Sequence, residues 1–118
     1  MAEITLYGLA ACDTCRRARR WLDLAGVDAH WHDVRADGLP PEISTRLADA
    51  AGWAQLINRR SRTWRTFDEA DREMALERPA ALLAEHPVLL KRPVLEAHGE
   101  IVVGFDPEAW AAALETGQ

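Results

Sequence analysis

The chain has 118 residues, of which 48% are hydrophobic and 28% charged, and this balance is ordinary for one globular domain with its own core. A formal net charge of −5 argues against a protein that binds nucleic acid directly, because such binding depends on a broad basic surface. The sequence shows neither a secretory signal nor an apolar run of membrane-spanning length, so we expect a cytoplasmic monomer that does not bind membranes.

The first predicted elements are a strand over residues 4–7 and an amphipathic helix that begins at a pair of cysteines and ends at Gly26. Cys12 and Cys15 are one helical turn apart, so their sulfurs lie on one face and can close a small disulfide. Cys12 falls at the helix N-terminus, where unpaired backbone N–H groups favour a thiolate over a thiol. The spacing therefore predicts Cys12 as a nucleophile and Cys15 as the thiol that resolves its adducts.

Three other interpretations of the cysteine pair stay open at this point. A structural zinc site needs four ligands, and the available partners, His30 and His32, do not have zinc-finger spacing. The second interpretation is that both cysteines are inert and buried. The third is a permanent disulfide, which a reducing compartment disfavours. We expect no bound metal and no resident cofactor.

The middle of the chain predicts one strand followed by a mostly helical block. Residues 29–34 alternate as a strand does, and the helical crossover from the first strand makes the two parallel. The helical block covers about residues 40–86 and has Pro41 at its first helical position. Within it we expect a short helical piece near residues 53–57, a helix from about Phe67 with a capping box of Thr66 and Glu69, and a helix over residues 79–85.

The last third of the chain predicts a β-hairpin and a closing helix. Residues 93–96 and 101–103 read as its strands, and Asp106 and Pro107 as the start of the helix. Trp21 and Trp110 are expected to pack against the sheet. The predicted fold is α/β: a thioredoxin-like or glutaredoxin-like core with an all-helical insertion, in a single domain over residues 1–118.

Several short motifs together resemble the arsenate reductase and Spx family (ArsC/Spx), and in particular its YffB-like branch. The similarity covers nearly the whole chain. The motifs that carry it are residues 4–8, 12–14 and 18–22, Asn58 with Arg60, residues 63–65, and residues 91–93 with Gly104 and Phe105.

The resemblance implies a nucleophilic Cys12 and a cis peptide bond before Pro93, whose loop would offer backbone groups to an extended thiol substrate. It further implies that Arg60 and Arg92 hold an oxyanion and lower the thiol pKa, and it places Lys91 and Thr14 in the same substrate-binding motifs. Guanidinium groups suit oxyanions, and nearby cations favour a sulfur anion. Ordinary surface charges remain the alternative interpretation of both arginines.

The resulting hypotheses come from different classes of protein. The first is a thiol-disulfide reductase that uses glutathione as its co-substrate. The second is a redox-sensing regulator that, like the Spx proteins, contacts RNA polymerase. The third is an arsenate reductase, which the resemblance disfavours because those enzymes carry a third arginine matching residues 103–105, and this chain has neither Arg nor Lys after Arg92.

Overall fold

The computed structural model of the chain describes residues 4–116, which divide into two compact units. The first unit contains the described residues up to Val34 together with those from Arg92 onward, and the second contains residues Arg35–Lys91. None of the helices within residues 4–116 is long and apolar enough to cross a membrane. The single domain expected from the sequence stays a prediction.

A four-stranded mixed sheet forms the centre of the first unit. Its strands are β1 (Ile4–Gly8), β2 (His30–Asp33), β3 (Val94–Ala97) and β4 (Glu100–Val103), in the spatial order β2-β1-β3-β4. Strand β1 pairs with β2 in parallel and with β3 antiparallel, so that Leu6 lies opposite both Trp31 and Leu95. The parallel β-α-β start and the later antiparallel hairpin are both confirmed.

The hairpin between β3 and β4 turns through only two residues. His98 and Gly99 have φ values of 53° and 84°, a pair of left-handed conformations typical of a tight type I′ turn. Ala97 and Glu100, which the sequence placed in the turn, instead pair with each other as strand residues. The turn is therefore shorter than predicted at both ends.

Helix α1 (Asp13–Leu24) connects β1 to β2; Ala25 is its C-cap, and the predicted stop signal, Gly26, follows directly. The Gly26 N–H donates to the Asp23 carbonyl at 3.1 Å, and the Val27 N–H donates to the Leu22 carbonyl at 2.9 Å. Gly26 has a φ of 73°, which a residue without a Cβ adopts at little cost. These bonds satisfy the last carbonyl groups of the helix and turn the chain toward β2.

The core of the first unit lies where α1 and the last helix, α7 (Pro107–Thr116), pack on the sheet. Trp110 is fully buried there, and its indole N–H donates to the Gly104 carbonyl at 2.9 Å. Trp21 is half-buried and meets the Trp110 ring edge-on at 6.0 Å, so both predicted sheet-packing tryptophans are confirmed. The Asp106 carboxylate accepts from the N–H of Glu108 at 3.1 Å and caps α7 as expected.

The second unit is helical, as predicted. Pro41 occupies the first position of its first helix, and Leu82 and Leu83 are buried. Its elements are α2 (Pro41–Ala51), α3 (Trp53–Leu56), α4 (Arg62–Arg65), α5 (Glu69–Glu77), α6 (Pro79–Glu85) and a 3-10 helix (Pro87–Leu89).

The capping box predicted for Thr66 and Glu69 is wrong. Thr66 has helical backbone angles at the end of α4, and its hydroxyl donates to the Thr63 carbonyl at 2.6 Å. The residue that caps α5 is Asp68, whose carboxylate accepts from the Asp71 N–H at 2.9 Å while the Asp71 carboxylate accepts from the Asp68 N–H at 3.4 Å. The unpredicted single turn of α4 shifts the start of the next helix by two residues.

Candidate active site

Cys12 lies where the chain leaves β1 and enters α1. It is the N-cap residue, with extended backbone angles of φ −85° and ψ 123°, and it is half-buried. Its N–H donates to the Leu9 carbonyl at 3.1 Å, and its carbonyl accepts from the Arg16 N–H at 3.0 Å. The sulfur is thus held at the positive end of a twelve-residue helix, in the position expected from the sequence.

The surroundings of Cys12 favour its thiolate. Burial raises the pKa of the thiol, but the backbone N–H and thiol of Cys15 and the guanidinium of Arg92 act in the opposite direction. Together these groups hold the pKa of Cys12 below its ordinary value. A sulfur that is half-exposed and easily ionised is suited to nucleophilic attack.

Cys15 is the third residue of α1 and is completely buried. Burial, reinforced by the neighbouring Cys12 sulfur, raises the pKa of Cys15 to about 11. One thiol is therefore poised to ionise while its neighbour keeps its proton. Both cysteines are free in this structure, so Cys12 and Cys15 form a dithiol.

Gly8, the last residue of β1, leaves the space that the Cys15 sulfur occupies. A Cβ atom at Gly8 would lie 2.6 Å from the Cys15 Sγ and 3.0 Å from the ring of Trp31 on β2. Both distances are shorter than ordinary van der Waals contact, so any larger residue would displace the sulfur or the ring. The sequence reasoning missed this role, although a glycine that ends a strand just before the cysteine pair was an available signal.

The turn between β1 and Cys12 is tied to β2. The Ala10 N–H donates to the Asp33 carboxylate at 3.1 Å, and the Val34 N–H donates to the Gly8 carbonyl at 2.9 Å. The Arg16 Nε donates to the Ala10 carbonyl at 3.1 Å. These bonds hold the backbone of the turn that precedes Cys12. The hydrogen bond of Asp33 was not predicted.

Arg92 and Pro93 begin the second segment of the first unit. The peptide bond between them is cis, as the resemblance implied, and Pro93 is fully buried. The Pro93 carbonyl accepts from the Gly104 N–H at 2.7 Å, which ties this loop to the end of β4. Arg92 is half-buried and faces the Cys12 sulfur, so the structure brings Cys12, Cys15 and Arg92 together.

The remaining predicted site residues lie on other elements. Thr14 is in the first turn of α1, and its hydroxyl accepts from the Arg17 guanidinium at 3.4 Å. Arg60 and Lys91 belong to the second unit, where both are exposed; the Arg60 N–H donates to the Asn58 side chain at 3.0 Å and the Lys91 N–H donates to the Leu56 carbonyl at 2.6 Å. Their part in binding an oxyanion stays a prediction.

The two histidines considered for zinc lie on the edge strand β2. His30 is exposed, and the half-buried His32 packs against the ring of Tyr7 at 5.1 Å between centroids. Within the part of the chain that the structure describes, no group of three or more His, Cys, Asp or Glu residues could hold a metal ion.

Comparison with known proteins agrees with this geometry. The model of the ArsC family matches residues 7–113. This range includes both cysteines, the end of β1 and all of β2, β3 and β4. The chain belongs to the ArsC family. The predicted family resemblance is therefore confirmed, and so is the thioredoxin-like α/β fold.

Relatives within the ArsC family and among the Spx regulators cover most of the chain. A solved protein named YffB is 41% identical, covers 94% of this chain and 98% of its own, and superimposes with a TM-score of 0.87. An arsenate reductase (ArsC) related protein from Brucella melitensis is 38% identical over 93% of this chain and 92% of its own, with a TM-score of 0.70. The global transcriptional regulator Spx 2 of Bacillus anthracis is 28% identical over 89% of this chain and 82% of its own.

Proposed function

We propose that this protein is a thiol-disulfide reductase in which Cys12 is the nucleophile, Cys15 the resolving thiol and glutathione the co-substrate. The observation that carries the proposal is the contrast between the two sulfurs. Cys12 is half-exposed with a lowered pKa, whereas Cys15, one turn away, is buried with its pKa raised to about 11. Cys12 is therefore suited to attack first, and Cys15 lies one turn away to resolve the adduct.

The reaction begins when the Cys12 thiolate attacks the glutathione sulfur of a mixed disulfide. A Cys12-glutathione disulfide forms, and the substrate sulfur leaves with the bonding electron pair and takes a proton from water. Cys15 then gives up its proton and attacks the Cys12 sulfur, which forms a Cys12-Cys15 disulfide and releases glutathione. Two further glutathione molecules reduce this bridge and become glutathione disulfide, so that two electrons pass from glutathione to the substrate.

Residues around the cysteines have separate roles in this scheme. Arg92 stabilises the Cys12 thiolate before attack, because a cation beside sulfur favours its charged form. The loop at Pro93 offers backbone groups to an extended substrate, and Thr14, Arg60 and Lys91 hold its carboxylates. Guanidinium groups suit that task because their planar donors match a carboxylate.

Trapping the mixed disulfide tests the proposal. In Cys15→Ser, incubation with glutathione disulfide should add one glutathione to the protein, because the adduct on Cys12 loses its internal resolving thiol. Cys12→Ser is the matched control and should add none, since the remaining sulfur is buried. Intact mass measurement reads the result. Equal labelling of the two variants, or none in either, would count against Cys12 as the nucleophile.

A redox-sensing regulator is the second candidate, and the similarity to the Spx regulators favours it. In this role the Cys12-Cys15 dithiol would act as a sensor, and the resemblance implies RNA polymerase as the partner. Pull-down of purified polymerase by reduced and by oxidised protein distinguishes the two functions. A regulator retains polymerase in one redox state, while a reductase retains none in either.

Arsenate reduction is the third candidate. The similarity to an arsenate reductase related protein supports it, but this chain has no Arg or Lys after Arg92 to supply a third cation. Arsenate-dependent oxidation of glutathione in the presence of the protein tests this activity directly. We expect turnover with a glutathione mixed disulfide to be much the faster of the two.

A further inference from the structure

The exposed side of α1 carries a cleft that the proposed chemistry does not use. Asp13, Arg16, Arg17 and Arg20 line a cavity of about 480 Å³, called here the α1 cleft. The chain has a formal net charge of −5, yet α1 contains four arginines and two aspartates and is therefore locally cationic. The cleft begins at Asp13, the residue directly after Cys12, and its arginines follow from Arg16 onward.

The arginines of the α1 cleft differ in how far they are already engaged. Arg16 is paired with the Asp13 carboxylate at 3.3 Å and also donates to the Ala10 carbonyl at 3.1 Å. Arg17 makes a long 3.4 Å bond to the Thr14 hydroxyl, and Arg20 forms no hydrogen bond or ion pair with any residue among 4–116. The uncompensated positive charge therefore lies at Arg17 and Arg20, away from the sulfur.

The distance of Arg17 and Arg20 from Cys12 sets the length of a ligand that could reach both the arginines and the sulfur. At about 1.5 Å per residue, Arg17 and Arg20 lie roughly 7 and 12 Å along the helix axis from Cys12. An extended peptide advances about 3.3 Å per residue, so those spans correspond to about two and four residues. The Asp13–Arg16 pair adds little net charge near the start of the helix, whereas an extended acidic chain would run past it and reach Arg17 and Arg20.

We propose that the α1 cleft binds an acidic segment of the protein whose disulfide Cys12 attacks, with Asp or Glu two to four residues from the reactive cysteine. This inference rests on the proposed reductase function and specifies its substrate class. The cleft and the segment are complementary in charge, and the geometry aligns the segment with its cysteine at Cys12. Arg17 and Arg20 act as specificity residues that do not touch the reacting atoms.

Two peptide disulfides of equal length test the inference. Each is a cysteine peptide joined to glutathione; one carries Asp and Glu at two to four residues from the cysteine, and the other carries Asn and Gln there. We expect kcat/KM to favour the acidic peptide by about fivefold at low salt, the sum of two exposed ion pairs. The preference should shrink as added salt screens the charges.

The double variant R17Q/R20Q should lose the preference while it still reduces hydroxyethyl disulfide, a small uncharged substrate, at the unmodified rate. Arg19→Gln is the control: it removes one positive charge from the same helix, where the double variant removes two, but Arg19 lies over the Trp31 ring at 4.3 Å and does not line the cleft. This variant should keep the preference.

The outcomes separate the inference from the function on which it rests. Reduction of both peptides at equal rates by the unmodified protein would overturn the inference and leave the reductase function standing. So would a preference that survives in R17Q/R20Q, or one that Arg19→Gln removes equally. Failure to reduce any of the three disulfides would overturn the proposed function, and the inference with it.

Discussion

The pKa values of the two thiols shift in opposite directions because the groups that surround them differ. The Cys15 N–H and the Arg92 guanidinium lie beside the half-buried Cys12 sulfur, whereas the Cys15 sulfur is completely buried next to Gly8. Burial acts on both thiols, but only at Cys12 do nearby donors and charge outweigh it. The difference between the two thiols therefore depends on contacts with individual neighbouring residues.

Replacement of Arg92 tests the electrostatic part of this arrangement. The pKa of Cys12 lies below its ordinary value, so its alkylation by iodoacetamide should reach half of its limiting rate at a correspondingly low pH. Arg92→Gln removes a cation beside the sulfur, and the midpoint should move to higher pH. The rate of alkylation as a function of pH measures the shift.

Two controls accompany the Arg92 experiment. Arg92→Lys keeps the charge and should leave the midpoint closer to that of the unmodified protein. Cys12→Ser should resist alkylation at neutral pH, because Cys15 is buried and burial raises the pKa of its thiol. A midpoint that is the same in Arg92→Gln and in the unmodified protein would show that the guanidinium does not act on the thiolate.

Gly8→Ala tests the packing around Cys15. The new methyl group would lie 2.6 Å from the Cys15 sulfur, and such overpacking costs about 1–3 kcal/mol. Urea unfolding followed by circular dichroism measures the loss. In a Cys15→Ala background the same substitution should cost less, because the sulfur that it meets is gone. Equal costs in the two backgrounds would mean that Gly8 is required for some other reason.

At the scale of secondary structure, local signals identified most elements of the chain. The cysteine helix was predicted from its apolar spacing and its terminal glycine, and α7 from Asp106 and Pro107. Each of these signals is local in the sequence, so no tertiary information was needed. The short helix α4 was not predicted, because Trp64 is the only apolar residue among its four and so no helical spacing is visible.

The two possible caps of α5 provide a test of the corrected boundary. Asp68→Ala should destabilise the protein by about 1 kcal/mol, because it leaves the Asp71 N–H without its acceptor. Thr66→Ala should cost less, since the Thr66 hydroxyl bonds back to Thr63 and does not cap α5. Urea unfolding of the two variants compares them. A larger loss for Thr66→Ala would restore the boundary predicted from the sequence.

The residues of the candidate site were predictable only where they belong to a local motif or to a family motif. Cys12 and Cys15 form a local motif, and Arg92 was indicated through the family resemblance. The roles of Gly8, Trp31 and Asp33 were not predicted, because their contacts depend on how β1 packs against β2 and α1. Sequence spacing predicts which face a strand residue occupies, but it does not predict which atom lies across from it.

Across the whole molecule, the first unit is assembled from the two ends of the described chain. Leu6 and Leu22 come from its first part, and Leu95, Trp110 and Ala113 from its last part, and they share one core. The helical second unit is inserted between these segments in sequence. Stability of the sheet that supports Cys12 therefore depends on residues about 100 positions downstream of it.

Trp110→Phe tests that dependence. The substitution removes buried ring volume and leaves the Gly104 carbonyl without its indole donor, so we expect a loss of about 2 kcal/mol in the free energy of unfolding. Trp21→Phe is the matched control and should lose less, because Trp21 is only half-buried. Urea unfolding by circular dichroism measures both, since tryptophan fluorescence changes with the substitution itself. Equal losses would mean that the full burial and the indole hydrogen bond of Trp110 add nothing to stability beyond what Trp21 contributes.

The separation of β1 from β3 along the chain has a consequence during biosynthesis. Roughly 80 residues lie between Cys15 and Val94, and at about 5–20 residues per second a ribosome needs several seconds to add them. Throughout that interval β1 lacks the neighbour that completes the sheet beneath the dithiol. The cysteine pair is therefore synthesised before the part of the chain that completes its surroundings, Arg92 included.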